Sequence, residues 1–204
     1  MNLTVKRFVV GGMRNNCYLV YDAHSKKAFL VDASSPCEEI MRFISHEELH
    51  LDFIILTHGH FDHIADVECF NVPFYIHEAD AEFLTDPRIN ASLFCGNPIS
   101  VKAHPIIVNS NTVLDFEGNN IEIIHTPGHT PGGICLKIEH WLFSGDTLFY
   151  RSVGRTDIPL SSHDDIISSI QFKLFALPDN TKVFPGHGEE TTIGYEKAHN
   201  PFLR

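Results

Sequence analysis

Four potential metal ligands fall within six residues of the segment Thr57-His58-Gly59-His60-Phe61-Asp62-His63. It follows Phe53-Ile54-Ile55-Leu56, an apolar run too short for a helix and suited to a strand buried on both faces. A loop leaving such a strand starts at the C-terminal edge of a sheet, where ligands tend to bind. In extended chain His58 and His60 point the same way, because side chains alternate. Burying four such groups without partners would cost several kcal/mol. They are therefore either a solvated polar loop or a metal site.

Three further segments follow the same plan: His125-Thr126-Pro127-Gly128-His129-Thr130, Phe143-Ser144-Gly145-Asp146 and Pro185-Gly186-His187-Gly188. Each sets a ligand just past a run that reads as a buried strand. Histidine and carboxylate without nearby cysteine suit zinc, iron or manganese. His58, His60, His63, His129 and His187 with Asp62 and Asp146 are too many for one tetrahedral ion. They suit two ions a few Å apart, an arrangement that serves hydrolysis. Such ions lower the pKa of a water from ~15.7 toward ~7 and take up charge on an attacked carbonyl. Asp62 and Asp146 are ligands first, and either could also accept a proton from the attacking water.

The elements that must position these residues alternate in type. Strands are expected over 3–10 and 17–21, with Gly11-Gly12 and Asn15-Asn16 as turn signals between them. A short strand over 28–31 ends at Asp32, a candidate partner for a ligating histidine. Ser35 with Pro36 and Glu38 reads as a helix start, followed by Ile40, Phe43 and Ile44 at helical spacing. Helices are expected from Ile64 to Phe70, over 78–84 and over 164–174, and strands over 74–76, 112–116, 121–125, 134–138, 141–144 and 182–184. Gly118-Asn119-Asn120 reads as a hairpin turn, and residues 86–105 as a long loop. His125 is expected to support the second ligand loop. A faint two-fold pattern, a strand running into a histidine loop in each half, fits one domain over 1–204. The mixture of elements places the chain in the α/β or α+β class.

The 204 residues carry 15 Lys plus Arg against 26 Asp plus Glu, a formal net charge of −11. That acidity argues against nucleic acid and against an anionic membrane surface as partners. No apolar run approaches the ~20 residues of a membrane helix. Met1 to Val20 lacks a signal-peptide core, so a cytoplasmic location is expected. Cys17, Cys37, Cys69, Cys95 and Cys135 are odd in number and form no CxxC, which reads as reduced thiols. Among the few cations, Arg155 after Gly154 is the first candidate to hold an acidic substrate, ahead of Arg151 and Lys197. An ion pair of Arg155 with Asp157 is the plain alternative.

The pattern His58-x-His60-x-Asp62-His63, then His129, Asp146 and His187, resembles the metallo-β-lactamase superfamily. The resemblance implies a four-layer αβ/βα sandwich with the metals at one edge of two sheets. It places His58, His60 and His129 on one ion, Asp62, His63 and His187 on a second, and Asp146 on both. Asn16-Cys17-Tyr18-Leu19-Val20, Phe143-Ser144-Gly145-Asp146-Thr147-Leu148-Phe149, Gly154-Arg155-Thr156-Asp157 and the region from Thr191 to Phe202 resemble glyoxalase II, the hydroxyacylglutathione hydrolases, in their short single-domain bacterial form. This implies hydrolysis of a small acyl thioester such as S-D-lactoylglutathione, giving D-lactate and glutathione. It also implies two divalent ions, Zn(II) first, with Fe or Mn as alternatives. The longer glyoxalase II enzymes add a C-terminal helical domain that supplies basic residues for glutathione. With the sequence ending at Arg204, that domain is expected to be absent, and the residues that hold glutathione do not carry over. Two rivals are a mononuclear-iron persulfide dioxygenase, similar at Gly154-Arg155-Thr156-Asp157, and another esterase or lactonase of the superfamily.

Overall fold

A computed structural model of the chain describes residues 3–203. They fall into two compact units. The first runs through Ile76 and again over 81–107; the second takes His77–Asp80 and the chain from Val108 on.

In the first unit β1 (Leu3–Val10), β2 (Asn15–Asp22), β3 (Lys27–Val31), β4 (His50–Ile55), β5 (Phe74–His77) and β6 (Ile106–Val108) stand in the sheet in chain order. β1, β2 and β3 form an antiparallel meander, whereas β3, β4 and β5 are parallel. The parallel run sets the ends of β3 and β4 at one edge, which is where Asp32 and the His58 loop emerge. Between β3 and β4 lies α1 (Glu38–His46), whose Ile40 is buried with Phe8, Leu30, Ile54 and Leu56. After β4 comes α2 (Phe61–Ile64), then 3-10 turns over Val67–Phe70, Glu78–Leu84 and Ser92–Cys95.

The second unit holds β7 (Val113–Phe116), β8 (Asn119–His125), β9 (Ile134–Ile138), β10 (Trp141–Gly145), β13 (Lys182–Pro185) and β14 (Thr191–Thr192). A small ribbon is made of β11 (Leu148–Phe149) and β12 (Ser152–Val153). The sheet order is β14-β13-β10-β9-β8-β7. Only β10 and β13 pair in parallel; β8, β9 and β10 alternate. It follows that β8, β10 and β13 all run in one direction and end at one edge, where His129, Asp146 and His187 begin. Two helices, α3 (His163–Ser169) and α4 (Ile193–His199), cover this sheet through Ile166 and Ile193, packed with Leu142, Leu148 and Val183. α3 continues as a π-helical turn over Ile170–Leu174.

The mixed α/β class agrees with the sequence, and several local readings are corrected. Asn15 and Asn16 are buried in β2; the turn lies earlier, with positive φ at Gly11 and Arg14. A Cβ on Gly11 would sit 2.6 Å from the Ser35 carbonyl oxygen, so the close approach requires glycine there. Ser35 does not cap α1: the N-cap is Cys37, and its N–H donates to Asp66 Oδ2 at 2.9 Å. A carboxylate 29 residues downstream thus does the work expected of a local serine. The helix expected from Ile64 to Phe70 is two pieces, and the earlier one begins at Phe61, so Asp62 and His63 sit on a helix. Residues 78–84 are 3-10 helical. In the β7–β8 hairpin the turn residues are Glu117 and Gly118, both at positive φ as a type I′ turn requires, with Asn119 already in β8. α4 was not anticipated; its signal was Thr192, whose hydroxyl accepts the Tyr195 N–H as an N-cap.

Candidate metal centre

The first unit brings four of the seven expected ligands together. His58 and His60 leave the end of β4, and Asp62 and His63 follow on the first turn of α2. The ring centroids of His58 and His60 are 4.9 Å apart, and those of His58 and His63 are 4.1 Å apart. All three imidazoles are buried. Asp62 Oδ2 lies 4.0 Å from His63 Nε2 and accepts a hydrogen bond from Asn15 Nδ2 at 3.1 Å.

Asp32, just past β3, organises this set. Its Oδ1 accepts the Thr57 N–H at 2.7 Å; its Oδ2 accepts the Thr57 hydroxyl at 2.9 Å and the His63 Nδ1–H at 2.8 Å. Because the Thr57 proton is spent on Asp32, Thr57 Oγ1 can only accept from His58 Nδ1, 3.1 Å away. One carboxylate therefore fixes two histidine tautomers with the proton on Nδ1 and the lone pair on Nε2. Asp32 itself has φ +62°, a left-handed conformation that Asp tolerates better than most side chains. Asp32 thus stands behind His63, one of the histidines expected to hold a metal.

The second unit brings the other three together. Asp146 Oδ2 lies 3.5 Å from His129 Nε2 and 3.5 Å from His187 Nε2, so one carboxylate stands between two imidazoles. His129 Nδ1–H donates to the backbone carbonyl of Arg155 at 2.9 Å, which again leaves Nε2 with the lone pair. That approach depends on Gly154, where an added Cβ would come within 1.8 Å of the Asp146 carbonyl oxygen. The loops are tied to one another: Thr126 Oγ1 and Thr147 Oγ1 are 3.0 Å apart, and Gly186 N–H donates to the Gly145 carbonyl at 2.8 Å.

Two supports escaped the sequence reading. Asp80 is fully buried and accepts from Thr130 Oγ1 at 2.7 Å and from the Gly132 N–H at 2.6 Å, pinning the loop that carries His129. His77 stacks on His125, centroids 4.1 Å apart and planes 10° apart. Burial, with the His125 charge adding to it, pushes the His77 pKa down to about 4. His125 Nε2–H donates to the Pro131 carbonyl at 2.8 Å, the loop-supporting part expected of it.

Of the three cations expected near substrate, Arg155 is exposed and forks the Asp157 carboxylate, Nε to Oδ1 2.7 Å and Nη2 to Oδ2 2.9 Å. Lys197 bonds Asp179 Oδ1 at 2.6 Å and the Leu177 carbonyl at 3.3 Å. Arg151 is exposed, and its backbone N–H donates to Glu196 Oε2 at 2.9 Å. A cleft of about 150 Å³ in the first unit is lined by Gly12, Met13, Asn15, Phe61, Asp62 and, from the 86–105 segment, Cys95. That segment is also tied to the ligand loop, since the Asn90 carbonyl accepts the Phe61 N–H at 3.0 Å.

The donors fit a divalent ion. Both groups are imidazole and carboxylate only, and three of the imidazoles have Nδ1 held by a neighbour with Nε2 turned to the other donors.

Residues 10–187 match the metallo-β-lactamase superfamily, and the chain belongs to it. A hydroxyacylglutathione hydrolase, GloC, of Haemophilus influenzae is 35% identical over 98% of each chain. A probable metallo-hydrolase, YqgX, of Bacillus subtilis is 31% identical over 97% of this chain and 96% of its own. Among solved structures, the B3 metallo-β-lactamase BLEG-1 superposes with a TM-score of 0.92 at 36% identity, covering 98% of this chain and 99% of that one. TTHA1623 in a di-iron-bound form superposes at 0.86 and 31% identity, covering 98% and 100%. The fold is thus the metallo-β-lactamase one expected from the sequence. The superfamily is metal-dependent, and no helix among the described residues is long and apolar enough to cross a membrane.

Proposed function

We propose that the protein is a binuclear metal-dependent hydrolase of small acyl thioesters, with S-D-lactoylglutathione as its first substrate to test. The observation that carries this reading is the full-length likeness to a relative named for hydroxyacylglutathione hydrolysis. In this reading His58, His60 and His129 hold one ion, Asp62, His63 and His187 hold the other, and Asp146 touches both. When bound, two divalent ions, Zn(II) before Fe or Mn, polarise the substrate carbonyl and lower the pKa of a water to near neutrality.

The chain's own residues do the rest. Asp32 and the Arg155 carbonyl hold three imidazoles in the tautomer that presents Nε2. Asp62, steadied by Asn15, is a carboxylate that can take the proton of the attacking water. A thiolate leaves without help from a general acid, which fits a set of donors containing none. Arg155 exchanges Asp157 for a carboxylate of the substrate, with Arg151 and Lys197 as lesser contributors.

The test is hydrolysis of S-D-lactoylglutathione by purified protein, with bound metal measured on the same sample. Two ions per chain and a kcat/KM of about 10⁴ M⁻¹s⁻¹ or more support the reading. Two ions with no turnover would overturn the thioesterase assignment and leave the family untouched.

A further inference from the structure

Four residues outside the histidine and aspartate set form a second cluster of metal donors in the first unit. Cys37 is the N-cap of α1, and Met41 lies one turn into that helix, on the same side. Asp66 and Cys69 come from the 3-10 turn after α2, where the Cys69 N–H donates to the Asp66 carbonyl at 3.0 Å. The Cys37 and Cys69 sulfurs and an Asp66 carboxylate oxygen all lie within 4.8 Å of one another. Met41 Sδ is 3.5 Å from Cys37 Sγ. The Asp66 carboxylate is held in place by the Cys37 N–H at 2.9 Å.

We propose that Cys37, Met41, Asp66 and Cys69 form a binding site for a thiophilic d10 cation, monovalent copper before others. Thiolate and thioether donors select soft ions, and a thioether in the set favours Cu(I) over harder divalent metals. The set is built for capture from solvent: Cys37 is buried, while Cys69 and Met41 are exposed. An inert core thiol needs neither a second thiol nor a carboxylate beside it. Burial, then the neighbouring Asp66, pushes the Cys37 thiol up to about 12, so a bare thiolate is disfavoured there. A cation supplies the missing positive charge. On binding, two S–H bonds break and two S–Cu bonds form; both protons pass to solvent, and copper stays monovalent. The two thiolates bind the ion with Met41 beside Cys37, and the Asp66 carboxylate next to them adds negative charge, which suits a structural or sensory site.

The experiment keeps the histidine ligands out of the readout by loading the protein with Zn(II) first. Monovalent copper is then delivered anaerobically from a bidentate chelator of known affinity. The thiolate-to-copper charge-transfer absorbance and the copper bound per chain are recorded. One copper per chain with that band is expected. Cys69→Ser should bind at least tenfold more weakly and lose most of the band, at unchanged zinc content and melting temperature. Met41→Leu should weaken binding several-fold with the band kept. Cys95→Ser, altering the other exposed thiol, should behave as wild type. Failure of the wild type to draw copper from the chelator overturns the proposal. So does Cys69→Ser binding as tightly as wild type.

Discussion

Asp32 Oδ2 accepts the Nδ1–H of His63 at 2.8 Å, with both side chains buried. The same oxygen accepts the Thr57 hydroxyl, which in turn orients His58. Asp32→Asn tests this division of labour, because Asn also tolerates the positive φ at this position and should fold. Its amide would offer a donor to the Nδ1–H of His63 or lose one of the three bonds. The expected result is a 10–100-fold loss of metal affinity, the usual cost of removing such a support, read by competition with a chelator. Unchanged affinity would show that neither histidine depends on Asp32.

Asp146 lies 3.5 Å from both His129 and His187. If it touches two ions, Asp146→Ala should lose at least one metal per chain and almost all turnover. Full metal content at full rate would rule out the shared-ligand role.

Asp80 holds the His129 loop from a position 50 residues earlier in the chain. Asp80→Ala leaves the Thr130 hydroxyl and the Gly132 N–H without this acceptor inside the protein. Each such loss costs about 1–3 kcal/mol. Urea unfolding should show a lower midpoint at unchanged slope. A midpoint equal to wild type would mean that the loop holds itself.

His77 gives stability a pH dependence. Its pKa is about 4 folded, against an ordinary value of 6.5. Between those values the unfolded chain takes up a proton that the folded chain refuses, so stability falls as pH drops from about 6.5 toward 4. His77→Phe keeps a ring against His125 and removes the titrating group. The wild type should lose stability relative to the variant as pH falls from about 6.5 toward 4, and the difference should stay flat above that window. Parallel pH profiles throughout would assign the acid sensitivity elsewhere.

The candidate ligands could be read from the sequence because each lies within eight residues after the end of a strand, and glycine or proline marks the turn there. Asp32 was readable for the same reason. What stayed hidden depends on contacts distant in sequence. Asp66 takes over the cap that Ser35 was expected to supply, and Asp80 reaches Thr130. Asn15 looked like a turn residue because Asn favours turns, yet its amide is spent on Asp62 inside a strand. Local propensity lost in each case to a buried polar group that had to be satisfied.

Arg155 contributes twice, through different atoms. Its backbone carbonyl accepts the His129 Nδ1–H, and its guanidinium forks Asp157 at the surface. Arg155→Ala removes only the second contribution, so metal content should stay at the wild-type level. The exposed Arg155–Asp157 pair is screened by solvent and contributes little to stability. Its loss should leave the melting temperature nearly unchanged. If the guanidinium moves from Asp157 to a substrate carboxylate, KM for S-D-lactoylglutathione should rise several-fold. An uncharged thioester should be hydrolysed as by wild type. Asp157→Ala, which frees the guanidinium, should leave KM for the anionic substrate unchanged or lower it. Arg155→Ala with unaltered kinetics on both substrates would leave the residue only its backbone role at His129.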